Sequence, residues 1–357
     1  MTVTLSLAGS ERALSRSALN ARQAWSTRVA CIVNLQGDYS TGRGEAAPLP
    51  GFSPDTLQDC QAALAAFDAT RLPAWLEPGQ SVLGELSRAS SRLPARLPAA
   101  RAALEGALLE LWSRAAGKPA WALLHDSSAS PPSPRTVAAL LMGDADEAVA
   151  QALRAQARGI ATFKLKIGRP GQLERELALV RQLRAELGAE AKLRLDANQS
   201  FSASEARDCL RRFAEQDLEL VEEPCALAEL SLLTEIAVPI AFDESLLQLS
   251  PEVVEQQARG VYALVLKPTL LGGVSACYAW ANAATRVGAQ VILSHAFEGP
   301  LGLGLSAALA LSIGSNTSAH GLDLEGARLE HLNLPFFSGS HVEPWSEAGF
   351  GVSTEPV

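Results

Sequence analysis

The chain is short of cysteine, of aromatic residues and of positive charge. Its five cysteines, Cys31, Cys60, Cys209, Cys225 and Cys277, are odd in number and never spaced as Cys-x-x-Cys. A disulfide framework or a thiolate zinc site is therefore not expected, and a reducing, cytoplasmic setting fits. Cys225, after Glu222-Glu223-Pro224, reads as a buried inert thiol. Acidic residues outnumber basic ones, leaving a net charge of −9. That balance argues against a nucleic-acid partner, whose phosphates demand clustered Lys and Arg. The longest small-and-apolar stretch, Leu301 to Ile313, is shorter than a membrane span and rich in Gly and Ser, so no membrane partner is expected. Met1 to Gly9 lacks the basic-then-apolar pattern of a signal peptide. Oligomeric state leaves no trace in the pattern.

What is present is a core rich in Ala and Leu: 48% of the 357 residues are hydrophobic while only 5% are aromatic. The length suits a barrel plus a smaller unit. Residues 1 to about 50 read as a β-meander, with alternation in Val3 to Leu7 and an apolar run over Arg28 to Val33. Between these, Gly9 to Ser26 has no period and reads as a long loop, of the kind that is functional or disordered. Pro48 to Ser53 is turn-rich, and helical patterns cover Pro54 to Ala66 and Pro98 to Ala116, the latter stopping at Gly117-Lys118-Pro119. Asp126 to Pro134 is the plainest linker. The expected division is an α+β capping domain over residues 1–130 and a barrel over 131–330, with 331–357 packing back onto the cap.

From residue 136 apolar runs of strand length recur roughly every 20 to 31 residues, each followed by a helical pattern. The runs are Val137 to Met142, Phe163 to Ile167, Leu193 to Asp196, Leu218 to Glu222, Ile240 to Asp243, Ala263 to Lys267, Gln290 to Ser294 and Ala319 to Leu324. Eight such units indicate an α/β fold, a (β/α)8 TIM-type barrel, whose chemistry sits at the C-terminal ends of its strands. Side chains alternate along a strand, so Lys164 and Lys166 share a face, as a solvated stripe or as a paired-ammonium site. The later runs end in Asp196, Glu222, Asp243 and Lys267. Singly, Glu222-Glu223-Pro224 could open a helix, Asp243-Glu244-Ser245 could cap one, and Lys267-Pro268 could be an exposed strand end. Together, in order, they place three carboxylates on neighbouring strands with lysines on the flanking ones. Three close carboxylates cannot all ionise without a cation, and all-oxygen ligation favours Mg2+, with Mn2+ the alternative. This layout suits removal of a proton next to a carboxylate, either for elimination or for two-base racemisation.

Five segments also carry a resemblance: Gly44-Glu45-Ala46-Ala47-Pro48-Leu49-Pro50-Gly51-Phe52-Ser53, Leu193-Arg194-Leu195-Asp196-Ala197-Asn198, Glu222-Glu223-Pro224-Cys225, Asp243-Glu244-Ser245-Leu246 and Lys267-Pro268-Thr269-Leu270. The cap helix around Ala103 to Trp112 adds to them. With these the chain resembles the enolase superfamily, in its branch with lysines on the second and sixth barrel strands, and more narrowly the o-succinylbenzoate synthase family. The resemblance implies metal ligands Asp196, Glu222 and Asp243, with Lys166 as the base. It places Lys164 beside that base and Lys267 opposite, stabilising an enediolate. It implies Asn198 as support to the third strand, with Arg194 a further polar match. Substrate contacts are expected from Gly51, Phe52 and Ser53 and from Ser294 and Glu298, with Mg2+ as cofactor and a small-molecule carboxylate as substrate. The seventh run departs from the family in His295, which relatives of another branch use as a base and which otherwise lines the substrate or serves the structure. An N-acylamino acid racemase or dipeptide epimerase, using Lys166 and Lys267 as opposed bases, is the rival enzyme. The acidic motif by which dipeptide epimerases grip an amine has a counterpart in Asp323 and Glu325. Muconate-type cycloisomerisation and a non-catalytic anion-binding barrel complete the alternatives.

Overall fold

In the computed structural model the chain opens with antiparallel strands β1 (Thr4–Leu19) and β2 (Ala24–Gln36), and β3 (Thr41–Ala46) pairs with β2 on its other side. The described residues are 2–19, 24–77, 79–125, 130–233, 238–254 and 260–352. The long loop expected over Gly9 to Ser26 is corrected: Gly9 pairs with Cys31 and Ala13 with Thr27, and pairing resumes with Ala18 opposite Trp25 after an irregularity. Residues 20–23 of that segment lie outside the described part. Gly9, Ser10, Glu11 and Ala13 are exposed or half-exposed on this ribbon. With little to bury, the ribbon has no hydrophobic alternation to betray it, and its backbone pairing alone makes it a strand.

Helices α1 (Leu57–Ala65), α2 (Val82–Ser90) and α3 (Pro98–Ala115) complete the cap. α3 is buried almost all round, which its many alanines permit by letting neighbours approach closely. β3 comes closest. A Cβ on Gly44 would lie 1.9 Å from the Ala103 carbonyl oxygen, and one on Gly42 2.0 Å from that of Ala107. Only glycine fits at either position.

The barrel strands are β4 (Ala138–Leu141), β5 (Thr162–Lys166), β6 (Lys192–Asp196), β7 (Leu218–Glu222), β8 (Ile240–Phe242), β9 (Ala263–Leu266) and β10 (Gln290–Leu293), parallel and adjacent in sequence order. The helices α4 (Ala145–Ala157), α5 (Leu173–Leu187), α6 (Ala203–Phe213), α7 (Val274–Val287) and α8 (Pro300–Ile313) run outside them. After β7 and β8 the chain makes 3-10 turns, Leu227–Leu232 and Glu244–Leu247. The eighth strand expected over Ala319 to Leu324 is corrected to two isolated bridges, His320 with Val137 and Gly321 with Ser294, which close the ring between β10 and β4. Asp323 ends the pairing by capping the helical turn Leu324–Ala327.

Three helices whose own N-cap residues, Leu97, Gly273 and Gly299, offer no capping side chain are capped from elsewhere. Asp55 accepts from Ala99 N at the start of α3. Glu105 on α3 accepts from Ser275 N at the start of α7. Glu45 on β3 accepts from Gly299 N (2.6 Å) and Gly302 N (3.1 Å) at the start of α8. The last two fasten the cap to the barrel with buried carboxylates, which helix N-termini favour. Past the barrel, Trp121 donates to the Trp345 carbonyl and Ala120 to that of Gly349. Among the described residues no helix is long and apolar enough to cross a membrane.

Candidate active site

Strand alternation sends Phe163, Leu165 and Ile167 into the helical layer, each under 7% exposed, and leaves Lys164 and Lys166 on the barrel's inner face. Asp196, paired with Lys166, shares that face, and Glu222 reaches it through a register shift. Leu193 pairs with Leu218, but Arg194 pairs with Leu220, so β7 carries one extra residue at Glu219. In the unshifted register Asp196 would lie beside Val221. The bulge sets it beside Glu222 instead. It also turns Glu219 toward Arg194, whose Nε donates to it at 2.5 Å and whose Nη1 donates to the Ala319 carbonyl at 2.7 Å.

Asp196, Glu222 and Asp243 are 1%, 2% and 4% exposed, too buried to remain charged without partners. Lys164 Nζ bridges two of them, 2.9 Å from Asp196 Oδ2 and in direct contact with Glu222 Oε2. Lys166 Nζ donates to Asp196 Oδ2 at 3.1 Å and to Asn198 Oδ1 at 2.9 Å. Across the barrel Lys267 donates to Asp243. Burial alone would lower the pKa of Lys164, but Asp196, Glu222 and Asp243 outweigh it and hold the group as an ammonium. Lys267 is raised likewise, Asp243 overcoming burial. Burial pushes Glu222 up, while at Asp196 the two lysines prevail over burial and push it down. Among the described residues no three acidic, His or Cys side chains surround one point as a finished metal cage; the ammonium groups stand between the carboxylates.

Lys164, Lys166 and Lys267 line one cavity with Arg194, Glu222, Ser294, His295 and Phe297. The cavity is narrow, about 50 Å³, with room for a few waters. The roof is apolar: Leu14 and Trp25 from the hairpin, Leu49 from the cap, and Met142, Leu270, Ala296 and Phe297 from the barrel, with Phe52 against them. Phe52 lays its ring 5.0 Å from Lys267 Nζ, a cation–π contact. Gly51 and Ser53 shape the turn that presents it, Gly51 at φ 74° and Ser53 Oγ accepting from Leu49 N. Ser294 lines the cavity. Glu298 does not: it is 2% exposed and accepts from Ala296 N in its own loop. The Gly299 and Gly302 amides at the helix start beyond it are held by Glu45 and are not free to bind a substrate carboxylate.

Sequence reasoning missed a second layer of polar groups. Glu223 accepts from Asp243 N, Ser245 N, Ser245 Oγ and Gln199 Nε2. Glu244 accepts from Asn198 Nδ2. Burial raises Glu223 to about 7 and, with Asp243, raises Glu244 to about 8. Asn198, Gln199, Glu223 and Phe297 are four of the six described non-glycine residues with left-handed φ, so backbone strain collects at the barrel mouth. The doubled acids Glu222-Glu223 and Asp243-Glu244 were the only signal of this layer.

The barrel is parallel and capped, with acids at the ends of three consecutive strands and lysines facing across them. Residues 147–356 match the family model "Enolase C-terminal domain-like", and residues 15–82 match "MenC, N-terminal domain". The chain is 32% identical to the o-succinylbenzoate synthase of Yersinia enterocolitica over 80% of its own length and 79% of the relative's. For that of Klebsiella pneumoniae the figures are 31%, 90% and 88%. Solved structures share the fold at lower identity. The L-Ala-D/L-Glu epimerase from Bacillus subtilis has a TM-score of 0.83 at 23% identity, covering 98% of each chain. Muconate lactonizing enzyme from Pseudomonas fluorescens has 0.84 at 23%, covering 99% of this chain and 96% of its own. The chain belongs to the enolase superfamily, and is an enzyme of the lyase or isomerase kind.

Proposed function

We propose that the chain is an o-succinylbenzoate synthase, dehydrating 2-succinyl-6-hydroxy-2,4-cyclohexadiene-1-carboxylate to o-succinylbenzoate in menaquinone biosynthesis. The supporting observation is that Lys166 and Lys267 border one cavity from opposite sides of the barrel with the three carboxylates beside them. Superfamily members generally bind Mg2+. The donor set fits it: three buried carboxylates, oxygen only, whose side-chain partners are the displaceable ammonium groups of Lys164, Lys166 and Lys267. Asp196, Glu222 and Asp243 would hold the ion, which when bound neutralises charge gathering on the substrate carboxylate.

In this reading Lys166 takes the ring proton alpha to the carboxylate, its Nζ aimed by Asn198 Oδ1. Lys164 contacts the carboxylate, and Lys267 stabilises the enediolate from the other side. Lys166 then returns the proton to the hydroxyl leaving from the same face, so that water departs as the ring becomes aromatic. Phe52, Trp25 and Phe297 exclude bulk water above.

Epimerisation of amino-terminal substrates is disfavoured by the acids after the eighth position. Asp323 Oδ1 is paired with Arg158 at 2.9 Å and its Oδ2 caps Gly326 N; Glu325 is paired with Arg154 and Arg158. Neither offers an unneutralised charge to an amine. The test is Lys166→Ala, which is expected to cut dehydration at least about 1,000-fold while the circular dichroism spectrum and Mg2+ titration stay unchanged. Substantial residual activity refutes the assignment. A panel of N-succinylamino acids and dipeptides in deuterated water separates the rival: exchange on any of them faster than dehydration favours the racemase reading.

A further inference from the structure

His295 stands where the family's seventh-strand pattern breaks, and its hydrogen bonding fixes what it can do. The Phe297 amide N–H donates to His295 Nδ1 at 3.1 Å. A peptide N–H cannot accept, so Nδ1 carries a lone pair and the ring is the neutral tautomer protonated at Nε2. An imidazolium would set two N–H groups against each other. The next peptide is tied to the cap. Arg12 and Arg28 of the cap both donate to the Phe297 carbonyl, at 3.1 and 3.2 Å, Phe297 sits at φ 60°, and its ring lies edge-on to the imidazole at 5.2 Å.

The other nitrogen is differently placed. Among the described residues no hydrogen bond is formed by Nε2, and His295 lines the cavity beside Lys267 and Ser294. Burial, with Lys267 and Lys164 nearby, pushes the imidazole down to about 3, in keeping with the neutral ring. The one lone pair is occupied and the other nitrogen bears a proton, so His295 has no means of removing a proton from carbon. This argues against the His-base reading drawn from other branches of the superfamily.

We infer that His295 is a specificity-determining residue whose Nε2–H donates to an acceptor oxygen on the succinyl arm of the ligand. The inference rests on the dehydratase reading above. It also gives that reading a reason to reject amines. A donor next to an ammonium cannot accept from a second ammonium, and an analogue without the matching oxygen leaves a desolvated N–H unpaired.

The test uses three ligands on the Mg2+-loaded protein by calorimetry: o-succinylbenzoate, 2-(3-carboxypropyl)benzoate, which lacks the ketone, and 2-butanoylbenzoate, which lacks the distal carboxylate. His295→Phe is expected to bind o-succinylbenzoate about tenfold more weakly, and His295→Gln, which keeps an N–H donor, to recover most of that loss. One analogue should bind wild type and His295→Phe equally, naming the oxygen. On the unmodified protein, long-range 1H–15N spectra should place the imidazole proton on Nε2, whether or not the Phe variant folds. Equal weakening of all three ligands, no weakening, failure of Gln to recover, or a proton on Nδ1 overturns the inference. A wild type that does not bind o-succinylbenzoate overturns the dehydratase reading and this inference with it, whereas tight wild-type binding unchanged in His295→Phe overturns this inference alone.

Discussion

Glu223 shows how much of the site is built from groups that never reach the cavity. Its two oxygens accept four hydrogen bonds, three of them from Asp243 and Ser245, and so fix the backbone that aims the Asp243 carboxylate. Glu223→Gln keeps the shape but turns one acceptor into a donor facing other donors. Mg2+ affinity by calorimetry is expected to fall about 10- to 100-fold, the usual effect of disturbing the partners of a metal-binding group. Affinity equal to wild type, with Glu222→Gln as the impaired control, would remove Glu223 from this role. Lys164 and Lys166 were legible because a strand's period of two is a rigid rule. Glu223 was not, because its direction depends on a left-handed φ of 45° that no residue-type preference announces.

Among the elements, helices without caps of their own borrow them. Glu45 is the most consequential, because α8 follows the strand whose loop carries Ser294, His295 and Phe297. Burial pushes its carboxyl above the ordinary range, opposed by the two amides it accepts from. Glu45→Ala is expected to lower the unfolding free energy in urea by about 1–3 kcal/mol, the range for losing charge-assisted bonds at a helix start. A change below about 0.5 kcal/mol would show that solvent replaces the cap at no cost. Seven of the eight strand positions could be located from apolar runs and the charges ending them. The eighth run, Ala319 to Leu324, falls where the ring closes, but it does so through two bridges at His320 and Gly321 rather than a regular strand.

For the whole molecule, buried neutral histidines tie stability to pH. His320 Nδ1 accepts from Leu293 N, and burial, aided by Arg135 and Arg194, lowers its pKa to about 3. The unfolded chain binds that proton below about pH 6.5 and the folded protein does not until about pH 3, so the contribution is complete above 6.5 and drains as pH falls between the two. The slope is at most about 1.4 kcal/mol per pH unit. His295 acts with the same sign, while Glu45 and Glu105, whose carboxyls burial raises, act with the opposite one. Glu223 and Glu244, raised to about 7 and about 8, oppose the histidines as well, so the test is differential: between pH 6.5 and 5 the urea midpoint of the wild type is expected to fall relative to that of His320→Gln, and parallel slopes would clear His320 of the effect.

Residue types alone were enough for the parallel barrel and for the acids and lysines that gather at its mouth, because alternation and strand order are local rules that residue types obey. The remainder came from how distant segments pack. A one-residue bulge at Glu219 brought Glu222 level with Asp196, the hairpin replaced an expected loop because pairing needs no hydrophobic pattern, and a single peptide N–H from Phe297 engages one nitrogen of His295. Each depends on where a distant or strained piece of backbone comes to rest, and that is a property of the packed chain rather than of any stretch within it.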